Sequence, residues 1–236
     1  MIYAIVGPTG VGKTKLSVML AKKIDAEIIN CDSMQVYKEL NIGVAKIKED
    51  EKCGITHHLF DVASVNDSFN AYTYQTLARE KVSEILSRGK NVIVVGGTGL
   101  YLKSLLYDYD FNSNKGAKKL YDFKLIGLTC DRDKLYERIN KRVDIMLDEG
   151  LLEEVKSLYD KNIRTRAINT AIGYKELYNY FDKVISLEDA IDKIKQSSRR
   201  YAKRQYTFFN NQFDNIIWYD VLNLSFEEIV DKIIKE

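Results

Sequence analysis

Proline is all but missing from this chain. One occurs in 236 residues, at Pro8, so helices elsewhere can run unbroken. Cysteine is also sparse. Cys31, Cys53 and Cys130 are scattered, share no ligand spacing, and read as buried thiols, with a reactive thiol as the alternative. The two histidines, His57 and His58, are adjacent and have neither His-x-x-x-His spacing nor a cysteine partner. That argues against a metal site and for a structural pair or a substrate contact. No apolar run approaches the roughly eighteen residues of a membrane span. The N-terminus enters a strand-like run without a signal or transit pattern, so a cytosolic protein is expected. Acidic residues are absent from one long stretch. From Lys193 to Phe213 there are six basic residues (Lys193, Lys195, Arg199, Arg200, Lys203, Arg204) and no acidic one, an asymmetry hidden by a net charge of +2.

What is present is globular in composition, 45% hydrophobic and 30% charged, and long enough for one α/β domain with an appendage. The most informative string is Gly7-Pro8-Thr9-Gly10-Val11-Gly12-Lys13-Thr14, a full G-x-x-x-x-G-K-[ST] phosphate-binding loop. The apolar run Ile2–Val6 precedes it, and Lys13–Lys23 follows with helical spacing. A glycine-rich turn between strand and helix aims backbone N–H groups into a concavity at a helix N-terminus, where a phosphate is stabilised. Lys13 adds a point charge and Thr14 can hold a magnesium ion. The loop alone implies a di- or triphosphate, with ATP the default tenant.

Along the chain, strand and helix alternate, which predicts a P-loop-type α/β fold: a parallel sheet flanked by helices, with a helical C-terminal portion. The strand candidates are Ile2–Val6, Glu27–Asn30, Asn91–Val95, Lys124–Leu128 and Asn215–Tyr219. Helices are expected over Lys13–Lys23, Ala71–Ser87, Leu100–Tyr107, Arg132–Glu149, Leu151–Lys161, Lys175–Phe181, Leu187–Asn210 and Phe226–Lys235. Phe111–Lys119 is a short polar stretch without periodicity and reads as a surface loop.

Open α/β sheets bind ligands at the carboxyl ends of their strands. There the second strand is followed by Asp32-Ser33-Met34-Gln35-Val36-Tyr37. Asp32 suits a magnesium ligand or a general base, and a helix cap by Asp32 or Ser33 is the alternative. Gly96-Gly97-Thr98-Gly99 follows the next strand. Its glycines permit close backbone approach, and Thr98 can cap a helix or bond an anion. Arg138 and Arg142 share a helical face and can close on a polyphosphate, or pair with Asp131, Glu137 or Asp144. Arg199, Arg200, Lys203 and Arg204 form a stripe interleaved by Tyr201, Tyr206, Phe208 and Phe209. Basic charge with ring faces suggests nucleic acid, and a solvated basic face is the plainer reading.

These strings occur in an order that resembles one family. Gly-Pro-Thr-x-x-Gly-Lys-Thr at 7–14, Asp-Ser-Met-Gln-Val-Tyr at 32–37, His-His-Leu at 57–59 and Gly-Gly-Thr-Gly-Leu-Tyr at 96–101 come first. Arg142-Val143-Asp144-x-Met146-Leu147, Ile172-Gly173-Tyr174-Lys175-Glu176 and Ala202-Lys203-Arg204-Gln205 follow. Over nearly its whole length the chain resembles the tRNA dimethylallyltransferases, also called isopentenyl-tRNA transferases.

The resemblance implies transfer of a five-carbon group from dimethylallyl diphosphate to N6 of the adenosine 3′ of the anticodon. Residues 7–14, with Arg138, would hold the diphosphate, and Thr14 the magnesium. Asp32 would be the general base, Thr98 would orient the reacting groups, and Arg142 would grip the leaving group. Ser33, Met34 and Gln35, with Asp32 and Thr98, would contact the flipped base, while Tyr174, Lys175, Lys203, Arg204 and Gln205 would grip RNA within a helical portion spanning 162–211. The expected partners are a tRNA anticodon stem-loop and the prenyl donor, with the chain a monomer and no membrane contact.

Two departures are visible. Phe208-Phe209-Asn210 stands where the family usually has Trp-Phe-Arg. The helical tRNA-binding insertion that the family carries before the fourth strand candidate is replaced by residues 111–119, between flanks that look intact. A P-loop kinase is one alternative, and a core that binds but poorly modifies tRNA is another.

Overall fold

The strands are short, the central ones rich in Ile and Val, and their alternate residues face opposite ways. In the computed structural model, which describes residues 1–113 and 118–235, this parity sorts the core into two layers. Ile2, Ala4 and Val6 of β1 (Ile2–Val6), Ile29 of β2 (Ala26–Asn30) and Val92 and Val94 of β4 (Asn91–Val95) lie on one face. They pack against α2 (Ala71–Ser87), α3 (Gly99–Leu106) and Phe209 near the end of α8 (Leu187–Gln212). Ile5, Ile28 and Ile93 point the other way, with Ile126 and Leu128 of β5 (Phe123–Thr129). They meet α1 (Lys13–Ile24), the start of α4 (Arg132–Asp148) and α9 (Phe226–Lys235). Each such fully buried aliphatic side chain contributes roughly 1.5–3 kcal/mol.

With β3 (His57–His58) and β6 (Ile217–Asp220) the sheet has six parallel strands in the order β3-β2-β4-β1-β5-β6. Parallel pairing puts every strand's carboxyl end on one edge, and the order brings the loops after β2, β4, β1 and β5 side by side there. A third cluster joins α5 (Leu151–Asp160), α6 (Arg166–Thr170), α7 (Tyr174–Phe181) and the first half of α8 to Val36, Tyr37 and Leu40.

The predicted strands and helices are present, with ends displaced by a few residues. The largest strand displacement is β6, expected to begin at Asn215 and found to begin at Ile217. Two elements are not expected from the sequence. A two-residue edge strand of histidines has no hydrophobic period to read, and α6 is too short to show one. Cys53 is also a correction. It sits on the exposed surface, whereas Cys31 is buried and Cys130 half-buried.

Of the expected loop over Phe111–Lys119, residues 114–117 lie outside the described residues. Its flanks are tied together. Asp108 N–H donates to the Lys118 carbonyl at 3.0 Å, and Leu120 N–H to the Leu106 carbonyl at 2.9 Å. The chain therefore leaves and re-enters the core at one place.

Candidate active site

Gly12 turns β1 into α1 in the left-handed region at φ 98°, and α1 begins at the next residue, Lys13. Of the phosphate-loop residues, Thr9, Gly10, Gly12, Lys13 and Thr14 line a cleft of about 1020 Å³. Gly7 and Pro8 instead offer carbonyls that accept from Lys13 Nζ at 3.0 and 2.8 Å, and Val11 is fully buried in the core. Burial pushes the Lys13 ammonium down to about 8, with Asp32 opposing that shift and Arg142 adding to it.

Beside this loop, Asp32 shapes a turn. Its Oδ1 accepts from Met34 N–H at 2.8 Å and Gln35 N–H at 3.4 Å. Among the described residues Oδ2 makes no hydrogen bond. The helix-cap alternative for Asp32 or Ser33 is corrected to a turn cap, since no helix follows. Thr98 stands at the N-terminus of α3, but its hydroxyl makes no bond to that helix. It accepts from Ser33 N–H at 2.9 Å and donates to Ser33 Oγ at 3.2 Å. The loops after β2 and β4 thus meet, and Gly96 is necessary to the meeting: a Cβ there would collide with the Cys31 carbonyl.

Arg138 and Arg142 both line the cleft from α4, four residues apart. Among the described residues neither makes an ion pair or hydrogen bond. The expected alternative partner Asp144 pairs with Lys195 at 2.6 Å. Burial lowers the Arg142 guanidinium below its ordinary value while Asp32 and Glu51 oppose the shift, so a charge waits in a half-buried setting.

A second concavity, about 450 Å³, opens from the other side. Ser33, Met34, Lys175, Arg200 and Arg204 line it. Thr9, Asp32, Val44, Arg142, Met146 and Tyr201 border both hollows. The site is therefore two-sided, with one carboxylate and one guanidinium at the meeting point. That arrangement suits group transfer between an anionic ligand on the loop side and a second ligand opposite.

The model of the IPP transferase family matches this chain over residues 35–121 and 110–212. The chain belongs to that family. A tRNA dimethylallyltransferase of Bacillus subtilis is 44% identical over 285 aligned residues, covering 93% of this chain and 90% of the relative. A crystal structure of a tRNA isopentenylpyrophosphate transferase from Staphylococcus epidermidis superposes with a TM-score of 0.93 at 35% identity, over 99% of this chain and 97% of that one. A eukaryotic dimethylallyltransferase captured acting on tRNA superposes at 0.88 with 26% identity, over 99% of this chain and 77% of its own. IPP transferase membership does not favour the kinase alternative.

Within this family framework two of the expected RNA contacts lie buried. Tyr174 is fully buried and its hydroxyl donates to Glu154. Gln205 is 4% exposed: its Oε1 accepts from Thr9 N–H at 2.8 Å and its Nε2 donates to the Gly97 carbonyl at 3.1 Å. Tyr174 is a structural tie, and Gln205 stitches the phosphate loop to the loop after β4 while also lining the loop-side cleft. Two of the interleaved rings turn inward, while Tyr206 stays 42% exposed. Phe209 is in the core, Phe208 packs against it, and Tyr206 lies against Trp218. Arg199 reaches Asn140 Oδ1 at 2.6 Å and leaves the stripe.

Lys203 and Arg204 remain exposed, while Lys175 is half-buried with its Nζ 3.7 Å from Glu176. Gln35 lines the loop-side cleft and gives its Nε2 to the Val44 and Ala45 carbonyls. His58 is structural, bonded at 2.7 Å to the buried Glu27, which Arg88 and Lys90 also hold. His57 lines the cleft, as a substrate contact would, and its Nε2 is buried without a partner among the described residues.

Two further residues shape the site, one read from the sequence only as an interleaving ring and one not read from it at all. Tyr201 sits at the junction, its phenol held well above the ordinary range chiefly by burial and further by Asp32. Its signal is present: Tyr201, Gln205 and Phe208 recur at helical spacing opposite Lys203. Glu154 accepts from Ile42 and Gly43 N–H across more than a hundred residues, and no local pattern announces it.

Proposed function

We propose that this protein transfers a dimethylallyl group from its diphosphate to N6 of the adenosine next to the anticodon of tRNA. The observation that carries the reading is the junction of the two hollows at Asp32 and Arg142, in a chain of the IPP transferase family. The donor's diphosphate lies on the phosphate loop, against Lys13 and Arg138, and its C1 faces the second concavity. As the N6–C1 bond forms and the C1–O bond breaks, Asp32 accepts the N6 proton. An aromatic amine is a poor nucleophile, and such proton acceptance contributes about 10²–10⁴-fold. Arg142 meets the charge that develops on the departing diphosphate. The base enters unstacked from its loop, past Ser33 and Met34, while Lys175, Arg204 and Lys203 meet RNA phosphates.

Magnesium fits this site through the ligand. Among the described residues no group of three or more histidine, cysteine or carboxylate side chains is placed to hold a metal, but Thr14 is exposed at the cleft beside Lys13. Its hydroxyl, phosphate oxygens and water make the oxygen set magnesium prefers. The ion would supply further charge neutralisation on the diphosphate.

Relatives carry residues for which this chain has no counterpart. The alignment with the B. subtilis relative spans 285 positions against 236 here, and the family model matches in two pieces that meet at 110–121. We place the missing segment, a helical arm on the RNA, at the tied flanks near 108 and 118. Among the described residues no helix is long and apolar enough to cross a membrane, and the reading puts the chain in the cytoplasm with its substrate.

The test is prenyl incorporation into an anticodon stem-loop from labelled dimethylallyl diphosphate, followed by digestion and identification of the nucleoside. N6-dimethylallyladenosine is the expected product. Binding of the stem-loop without product, in the presence of magnesium, overturns the catalytic reading in favour of a binding core. Grafting a relative's segment between Asp108 and Lys118 should lower the RNA concentration needed for half-maximal rate.

A further inference from the structure

We infer that Val44 and Met146 set the length of prenyl chain this protein accepts, an inference that rests on the transfer reading above. The donor's C1 must lie between its diphosphate and the attacking nitrogen, so its remaining carbons sit at the junction of the two hollows. Six residues border both, and four are polar or carry a polar tip: Thr9, Asp32, Arg142 and Tyr201. Val44 and Met146 are the purely apolar pair, and an apolar chain must rest on them.

Both walls are set by named contacts. Met146 lies one helical turn beyond Arg142 on α4, so a cation for the diphosphate and a thioether for the hydrocarbon share one face. Val44 rides on a clamped loop. The Glu154 carboxylate accepts from Ile42 N–H at 2.9 Å and Gly43 N–H at 3.2 Å on one side of it. Gln35 Nε2 donates to the Val44 carbonyl at 2.9 Å, and the next residue, Ala45, is in the left-handed region at φ 46°. Lys46 Nζ then reaches the Tyr37 carbonyl at 2.7 Å and Asp61 at 2.6 Å. A stiff β-branched residue on a fixed loop and a deformable one on a helix thus line the same two hollows.

The cleft as a whole, about 1020 Å³, is far too large to select a five-carbon group. Selection therefore depends on the two apolar side chains at the boundary the hollows share. Shortening Met146 makes room for a longer tail, whereas enlarging Val44 closes the seat.

The experiment is a competition between dimethylallyl and geranyl diphosphate for transfer to a stem-loop, read by product mass, with inorganic diphosphate binding by calorimetry as the control for an intact phosphate loop. Wild type should transfer the five-carbon group almost exclusively. Met146→Ala should shift the product ratio toward the ten-carbon group by about tenfold or more. Val44→Phe should lower five-carbon transfer by about the same factor, with diphosphate affinity unchanged in both. An unchanged ratio in Met146→Ala, with diphosphate still bound, overturns the inference. A wild type that transfers neither chain overturns the prenyl-transfer reading itself.

Discussion

The two hollows are built differently. The loop-side cleft is floored by backbone: sheet-edge loops joined by Gln205 and Thr98 through bonds of 2.8–3.2 Å, with the Lys13 ammonium held at 2.8 Å to a carbonyl of its own loop. The opposite hollow is walled by helices α4, α7 and α8, with Lys175, Arg200 and Arg204 reaching into it. Arg200 and Arg204 carry no ion pair among the described residues, and Arg204 rests over the Tyr201 ring at 5.6 Å. The first is preorganised for one small anion, whose charge must be met without delay at the transition state. The second is lined by long, adjustable cations, which suit a large polyanion whose affinity is summed over many phosphates.

Breaking the shared boundary should have the largest effect. Asp32→Ala is expected to lower single-turnover prenyl transfer by about 10²–10⁴-fold, with both substrates still binding in separate titrations. Arg142→Ala should cost about 10²-fold in the same assay, and the loss should be greater for donors with poorer leaving groups. On the helical side, replacing Lys203 and Arg204 together by alanine should weaken stem-loop binding by roughly tenfold at low salt. It should also flatten the salt dependence by about 0.7 log unit for each RNA phosphate that is no longer neutralised. Donor affinity should not move, and a change there would erase the distinction between the two sides.

The smallest effect sharpens the loop side. Because burial holds Lys13 down at about 8, rather than near 10.5, its ammonium is lost as pH rises through 8 in the unliganded protein. Affinity for dimethylallyl diphosphate should therefore fall above pH 8, by up to about tenfold per unit. The same shift has a stability sign. The unfolded chain holds that proton between 8 and 10.5 while the folded one does not, so this residue's burial penalty is relieved as pH rises across that window. Lys13→Arg should abolish the inflection in a pH series of donor titrations.

How much of the molecule is legible in its sequence follows the range of each interaction. The phosphate loop, β1, β4 and α2 are legible because their signals are local: a glycine spacing, an apolar run, a helical period. Asp32, Thr98 and Arg142 are legible through strand ends and motif order, and the structure brings Asp32 and Arg142 to one junction while Thr98 ties the Asp32 loop. The residues whose placement differs from the expectation lie on α7 and α8. Charge alone does not say which face each residue takes, so Gln205 reads as an RNA contact where the structure has a buried stitch at the wall of the loop-side cleft. Tyr174 misleads for a related reason, since its partner Glu154 is on another helix. Glu154, Val44 and Met146 have no legible role because it exists only once α4, α5 and the loop at 41–46 are folded together.

The tied flanks at Leu106–Asp108 and Lys118–Leu120 have a consequence for folding. Two backbone hydrogen bonds close the excursion at its base, so the rest of the chain is connected there as if by a short turn. Loop-closure entropy grows only logarithmically, by about 0.6 kcal/mol for each doubling of length. A segment of almost any size can hang from this base at small cost to the domain beneath. The enzyme core and whatever it carries can then vary independently, one under the demands of chemistry and the other under those of reach.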